Sequence, residues 1–141
     1  MLRQLLSRLR GGVLPVCETV DVVIPVYRGM AETRACIESV LAARGRTPFD
    51  VVVIDDCSPE PQMAPWLAAL AVAGRITLVT HAENRGFVAS ANAGMAMHPD
   101  RDVVLLNSDT EVAPGWLDRL AASARRDRSI GTATPFSNNA T

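Results

Sequence analysis

Carboxylate, amide and arginine side chains recur in short polar segments of this sequence, each of which follows an apolar run. Asp55 and Asp56 follow the run VVVI, and Asn107 and Asp109 follow VVLL. A third segment, HAENRG, follows the run ITLV and contains Arg85. Carboxylate and amide oxygens are the hard ligands that Mg²⁺ and Mn²⁺ prefer, and arginine pairs well with phosphate oxygens. These residue types predict a site for a divalent cation and an anionic ligand.

The apolar runs that precede these segments are typical of strands in a parallel sheet. Short β-rich runs alternate with longer helical patterns, as expected for strands joined by crossover helices. Near-continuous runs such as VVVI and VVLL indicate strands that are buried on both faces. The predicted strands span residues 20–26, 51–54, 76–79, 103–106 and 130–133, and the predicted helices span 31–43, 62–73, 87–97 and 114–125. The sequence therefore predicts an α/β fold with a mostly parallel sheet and helices on both faces.

The predicted elements bring the polar segments to one edge of the sheet. Ligands of open α/β sheets bind beyond the carboxyl ends of the strands, so we expect these segments to face one crevice. Tyr27 follows the first strand and offers a ring and a hydroxyl to a nucleobase. Arg85 precedes a helix of small residues whose N-terminus also favours anions, and Gly94 in that helix suggests a close approach to the sheet or a ligand.

Each of these residues also has a structural interpretation. A single Asp at a strand end often caps the next helix or turn. Tyr27 could be a packing residue, and Arg85 could be a solvated loop residue. His81 and His98 stand alone, without the spacing of a metal pair, and we expect both to be structural or exposed. Carboxylates at successive strand ends favour a common site over separate caps.

Composition and charge exclude several classes of protein. The 141 residues fit one domain, and 48% hydrophobic with 21% charged residues is ordinary globular composition. Fourteen arginines against fifteen acidic residues give a net charge of -1, so we expect no nucleic acid partner. The chain has no lysine, which excludes a Schiff-base lysine and a Walker A loop, and no G-x-G-x-x-G occurs. Three cysteines without a C-x-x-C pair favour a reducing compartment.

The two ends of the sequence differ from its centre. Residues 1–16 form a predicted amphipathic lead, with four leucines at helical spacing in residues 1–10, and residues 17–141 form the predicted main domain. The first ten residues have no continuous apolar run of the signal-peptide kind, and no stretch reaches the roughly 18 apolar residues of a membrane span, so we expect a cytoplasmic protein. Residues 1–10 could dock on protein or contact a membrane surface, which leaves open a place at the inner face of the membrane. No element closes the sheet edge after the last helix, and we expect a truncated sheet within a longer protein.

Four blocks in order resemble the N-terminal half of a family 2 glycosyltransferase with the Rossmann-like GT-A fold. They are VDVVIPVYRG, VVVIDDCSPE, ENRGFVASANAG and VVLLNSDTEV followed by PGWLDRL. The NSDT block with SNNAT is similar to the branch that includes rhamnosyltransferases and other makers of surface polysaccharides. The resemblance implies metal-assisted transfer, with inversion, of a sugar from a nucleotide-diphosphate sugar to a glycan or lipid-linked acceptor.

The resemblance also implies roles for individual residues. Pro25 and Tyr27 would line the nucleotide pocket, Asp56 would hydrogen-bond the base and Asp55 would support it. Asp109 matches the metal-binding acid of the family's D-x-D motif, with Mg²⁺ or Mn²⁺ as the metal. Asn107 stands where many members have the first Asp of that motif, and it would coordinate or bind ribose. Arg85 remains the residue expected to reach the diphosphate.

The resemblance leaves the transfer step open, because inverting transfer needs a carboxylate general base. In this family that base lies well downstream of the D-x-D block, and no acidic residue follows Asp127. The chain is therefore expected to hold the donor-binding half, and its catalytic residues are unknown. The alternatives are a non-catalytic nucleotide-sugar-binding module, a truncated relic, and a receiver-type Mg²⁺-binding signalling domain, against which the missing lysine counts.

Overall fold

The computed structural model of the chain describes residues 19–135. Within that range four parallel strands form one sheet in the order β3-β2-β1-β4. The strands are β1 Val20–Val26, β2 Phe49–Asp55, β3 Thr77–Thr80 and β4 Asp102–Leu105, and the helices are α1 Met30–Ala42, α2 Met63–Val72, α3 Phe87–Met95 and α4 Trp116–Ala124. The fold is a Rossmann-like α/β fold, as predicted. Its chain order reverses between β1 and β4, and such a switch point is where open parallel sheets bind ligands.

The sheet is covered on both faces, as predicted, because alternate residues of the central strands point to opposite sides. On one face Val22 and Val51 belong to the main core, which also contains residues of α1, α2 and α4. On the other face, α3 contacts β1 and β2, and a smaller cluster contains Val23, Val52 and Ile54. The run VVVI is buried throughout, as its apolar pattern predicted.

The run VVLL behaves differently, so the prediction that it is buried on both faces was wrong. Val103 and Val104 are half-buried, and Leu105 is 41% exposed. Within residues 19–135, β4 is an edge strand that pairs with β1 alone, and α3 lies over β1 and β2. The apolar run therefore predicted the strand correctly, but it did not predict how much of the strand is buried.

The predicted fifth strand at residues 130–133 was also wrong, since the structure has no strand there. Its place is taken by a turn, in which the Ile130 N–H donates to Asp127 O at 3.1 Å. The Asp127 carboxylate also accepts the Ser129 N–H at 2.8 Å. Local side-chain to backbone hydrogen bonds of this kind compete with strand formation, and Gly131 and Ala133 are poor strand formers.

The amino ends of the strands carry an ion cluster around one buried carboxylate, opposite to the predicted site. Asp21 is fully buried and accepts hydrogen bonds from His98 Nδ1 at 2.7 Å and Arg101 at 2.8 Å. Arg101 also donates to Asp50 at 2.6 Å. His98 is therefore structural, as expected.

The predictions for residues 1–16 lie outside the described residues. No helix within residues 19–135 is long and apolar enough to cross a membrane.

Candidate functional site

The loop after β1 presents a partly exposed tyrosine at the carboxyl edge of the sheet. Pro25 is buried within β1, and Tyr27 is 36% exposed directly after the strand. The Arg28 guanidinium lies 5.1 Å from the centre of the Tyr27 ring, within the range of a cation–π contact. The ring of Tyr27 is thus available to a planar ligand from the solvent side.

The loop after β2 contains two adjacent buried carboxylates with different partners. Asp55 is 2% exposed, and its Oδ1 accepts the Ser58 N–H at 2.9 Å, which forms a local turn. Asp56 is 3% exposed, and its own N–H donates to Val26 O at 2.8 Å. The second Asp therefore continues the parallel pairing with β1 past the end of the strand.

The side chain of Asp56 bonds to the loop after β3. Its Oδ1 accepts hydrogen bonds from His81 Nδ1 at 2.8 Å and the Arg85 N–H at 2.9 Å, and its Oδ2 accepts the Gly86 N–H at 2.8 Å. Burial raises the pKa of Asp56, but these hydrogen bonds stabilise the carboxylate more strongly, so its pKa lies below the usual value. Asp56 is therefore ionised at neutral pH.

Glu60 connects the same loop to the start of α1. Its carboxylate oxygens accept the Gly29 N–H at 2.7 Å and the Met30 N–H at 2.9 Å. Both amides lie at the N-terminus of α1, where backbone N–H groups have no hydrogen-bonding partner within the helix. The helix dipole also favours a carboxylate at this end. Asp56 and Glu60 thus join the loops after β1, β2 and β3 through backbone hydrogen bonds.

The loop after β4 carries Asn107 and Asp109, both of which are exposed. α1 positions this loop, because Ser39 Oγ accepts the Val112 N–H at 3.0 Å and Cys36 Sγ donates to Asn107 O at 3.4 Å. Burial raises the pKa of Cys36 to about 11, and the negative charges of Asp109 and Glu111 add to the increase. Asp109 and Glu111 therefore lie near Cys36, in the middle of α1.

The described residues contain no complete metal site. Among residues 19–135 no group of three His, Cys, Asp or Glu side chains could hold a metal ion. In that same range, neither carboxylate oxygen of Asp109 has a hydrogen-bonding partner, and the residue is exposed. Mg²⁺ is commonly held by one or two carboxylates together with substrate phosphates. Asp109 and the Asn107 amide fit a cation site of that shared kind.

The structure thus places all seven predicted site residues at the carboxyl ends of β1, β2 and β4 and in the loop after β3. His81 is buried beside Asp56, which confirms its structural role. Sequence reasoning missed the contributions of Glu60 and His81, whose partners lie 25 to 31 residues away in the chain. Glu60 stands in the DDCSPE block, but nothing in its spacing indicates which amides it binds.

The chain matches the family model described as Glycosyl transferase family 2 over residues 21–140. It is 35% identical over 105 residues to the succinoglycan biosynthesis protein ExoO of Rhizobium meliloti (strain 1021), covering 74% of this chain and 29% of that protein. It is 30% identical over 109 residues to the uncharacterized protein y4gI of Sinorhizobium fredii (strain NBRC 101917 / NGR234), covering 76% of this chain and 12% of that protein. The chain therefore spans less than a third of the length of either relative.

Solved structures share the fold. S. aureus TarS 1–349 in complex with UDP-GlcNAc superposes with a TM-score of 0.66 at 20% identity, covering 84% of this chain and 37% of that chain. GalNAc-T7 with UDP, GalNAc and Mn²⁺ superposes with a TM-score of 0.65 at 21% identity, covering 78% of this chain and 21% of that chain. At these identities the likeness shows the fold alone. The family model covers most of the sequence, and the chain belongs to glycosyl transferase family 2.

Proposed function

We propose that this chain binds the nucleotide-diphosphate sugar of a glycosyltransferase in the crevice at the carboxyl ends of its strands. The observation that carries the proposal is that the loops with Tyr27, Asp56, Arg85 and Asp109 all follow parallel strands of one sheet, at its carboxyl edge, and that the strand order reverses between β1 and β4. Family membership and neighbours solved with UDP and UDP-GlcNAc support a ligand of this class. The exposed ring of Tyr27 suits a base, Arg85 suits a diphosphate, and the free carboxylate oxygens of Asp109 suit a cation.

Each predicted residue has a role in this proposal. Pro25 and Tyr27 line the nucleotide pocket, Asp55 and Asp56 shape its base-binding side, and Asn107 binds ribose or the cation. Asp109 would hold Mg²⁺ or Mn²⁺ together with the diphosphate. A bound cation would neutralise the negative charge that develops on the departing diphosphate. Arg85, the residue before the N-cap of α3, would add a second positive charge.

The transfer reaction of the whole protein belongs to the same proposal. It is transfer with inversion to a glycan or lipid-linked acceptor, in the cytoplasm or at the inner face of the membrane. The succinoglycan biosynthesis relative supports polysaccharide assembly as the process. None of the described residues is assigned as the general base, because Asp109, whose carboxylate oxygens are free, is assigned to the cation.

Calorimetric titration of the 141-residue chain with UDP and dTDP, with and without Mn²⁺, tests the proposal. We expect Mn²⁺ to tighten the binding of a nucleoside diphosphate, and Asp109→Asn to remove that increase. Asp100→Asn is the matched control, because Asp100 is exposed in the turn before β4 at the opposite end of the sheet. Absence of binding to a folded sample, or equal metal dependence in both variants, would contradict the proposal.

A further inference from the structure

Helix α2 has an uncharged outer surface that is exposed to solvent. Residues 61–74 contain no acidic or basic side chain, and Met63 and Leu67 are the two buried residues of the helix. A surface helix normally carries polar residues on its outer side, whereas a helix that is apolar all round is normally covered. The apolar outer side, which we call the α2 face, consists of Ala64, Pro65, Ala68, Ala69, Val72 and the C-cap residue Ala73.

The α2 face is turned away from the rest of the described fold. Met63 and Leu67 belong to the main core, together with residues of α1 and of the sheet. Trp66 borders α1, because the Arg34 guanidinium lies 5.3 Å from the centre of its indole ring. Within residues 19–135, β3, the strand that follows α2, is an edge strand. The outer side of α2 is therefore open to a further helix.

The side chains of the α2 face are small. All of its residues are alanine or proline except Val72, which is 91% exposed. Small residues let a second helix approach closely and leave hollows that larger apolar side chains can fill. The α2 face therefore suits a helix that presents large apolar side chains.

The sequence supplies such side chains in residues 1–10, which lie outside the described residues. Their apolar residues have the i, i+3, i+4, i+7 spacing of one helix face, and their arginines fall outside that stripe. At about 1.5 Å per residue, a helix of this segment would match the length of α2, which also has 10 residues. The residues of the stripe are Leu2, Leu5, Leu6 and Leu9.

The connecting chain is long enough to reach α2. The start of β1 is fixed beside β2, because the Val20 N–H donates to Pro48 O at 3.0 Å. β3 lies two strands away from β1, which is about 10 Å at the usual spacing of strands. α2 ends shortly before β3, at the same edge of the sheet. Residues 11–18 can span about 26 Å when extended, so they place residues 1–10 within reach of the α2 face.

We propose that residues 1–10 dock as a helix on the α2 face, with their leucines against its alanines. The connecting residues make the contact intramolecular, which gives the segment a high effective concentration at the face. Docking removes the leucines and the α2 face from water together, while the arginines keep their charges in solvent. Docking is independent of the proposed function, because α2 lies outside the loops assigned to the nucleotide.

Limited digestion of the whole chain with trypsin tests the docking, because trypsin cuts after Arg8 inside the segment. Cleavage there requires the docked helix to open. We expect Ala68→Glu, which leaves the cleavage sequence unchanged, to accelerate cleavage after Arg8 by about tenfold or more. Ala122→Glu is the matched control, since it makes the same change at an exposed alanine of α4 and should leave the rate unchanged. Equal rates in the parent and in both variants would overturn the proposal.

A substitution within the segment tests the same contact from the other side. Leu5→Ala combined with Leu6→Ala shortens two side chains of the stripe and does not alter the described fold. We expect the amide chemical shifts of residues 64–73 to change in this variant, and those of α3 to stay the same. Changes confined to residues 1–10 would overturn the proposal.

Protein concentration and lipid separate the other occupants of the two surfaces. Docking within one chain predicts slow cleavage after Arg8 that is independent of protein concentration and is present without lipid. Protection that increases with protein concentration would mean that a second copy covers the segment. Protection that requires phosphatidylglycerol vesicles would mean that the segment binds a lipid surface. Either result would overturn the proposal.

Discussion

Gly94 of α3 lies against Val23 of β1 so closely that a β-carbon at position 94 would overlap the Val23 Cγ1 methyl group. Both residues are buried, and the Ile54 side chain of β2 borders the same position. The helix that follows the Asp56-bound turn can therefore approach the sheet only because position 94 has no side chain. This contact explains why position 94 is a glycine.

Gly94→Ala should destabilise the fold although alanine is the better helix former. The gain in helix propensity is about 1 kcal/mol, whereas overpacking of a buried contact costs about 1–3 kcal/mol. We expect a net loss of about 1 kcal/mol in the free energy of unfolding, measured by urea denaturation. Gly131→Ala is the control, because a β-carbon there would meet no atom within 4 Å. A midpoint for Gly94→Ala at or above that of the parent would contradict the close contact.

Glu60→Gln should weaken the connection between the loops after β1 and β2. The substitution removes the charge that the Gly29 and Met30 amides bind, and a cap interaction of this kind is worth about 1 kcal/mol. We expect a lower urea midpoint and faster exchange of those two amides. Glu38→Gln changes an exposed glutamate in the middle of α1 and serves as the control. Equal exchange in the two variants would show that Glu60 does not hold the start of α1.

Asp118 should make stability depend on pH in the acid range. The Arg46 N–H lies 3.1 Å from its carboxylate and the Thr47 N–H 2.7 Å, and these hydrogen bonds lower the pKa of Asp118 to about 2. A pKa below that of the unfolded chain means that the stabilisation is complete above about pH 4 and is lost as the pH falls toward 2. We expect the difference in urea midpoint between the parent and Asp118→Asn to shrink across this window. A constant difference from pH 6 to pH 2.5 would contradict this assignment.

The two described cysteines should react differently with thiol reagents. Cys36 is fully buried with a pKa of about 11, so it holds almost no thiolate at neutral pH, whereas Cys57 is exposed. Iodoacetamide at pH 7.5 should modify Cys57 in the native chain and Cys36 only after unfolding. Peptide mass spectrometry distinguishes the two positions. Modification of Cys36 at the rate of Cys57 would contradict the packing of α1 against the loop that contains Asn107.

The central part of the fold could be predicted from the sequence because its signals are local. β1 has the bounds that its apolar run predicted, and Asp55, Asp56 and Asp109 lie at strand ends because parallel strands place their carboxyl ends at one edge. Burial of the edge strand β4 could not be predicted, since it depends on which strands lie beside it. The segment 130–133 was misassigned because a local turn at Asp127 competes with one apolar residue.

The internal bonding of the site was beyond sequence reasoning for a different reason. Asp56 and Arg85 are 29 residues apart, and Glu60 and Met30 are 30 residues apart. Their contacts exist only after the sheet has placed three loops side by side, and the acceptors are side chains whereas the donors are backbone amides. Every residue except proline has a backbone amide, so the sequence does not indicate which amides act as donors. The sequence pattern therefore predicted the carboxylates but not their hydrogen-bonding partners.

The most direct test of the central claim is a map of amide chemical shifts in the ¹⁵N-labelled chain during titration with UDP and Mg²⁺. The account predicts shifts at the carboxyl ends of the strands, around Tyr27, Asp56, Arg85 and Asp109, and none at the Asp21, Asp50 and Arg101 cluster at the amino ends. Shifts centred on that cluster, or a spectrum that UDP leaves unchanged, would contradict a nucleotide site at the switch point between β1 and β4.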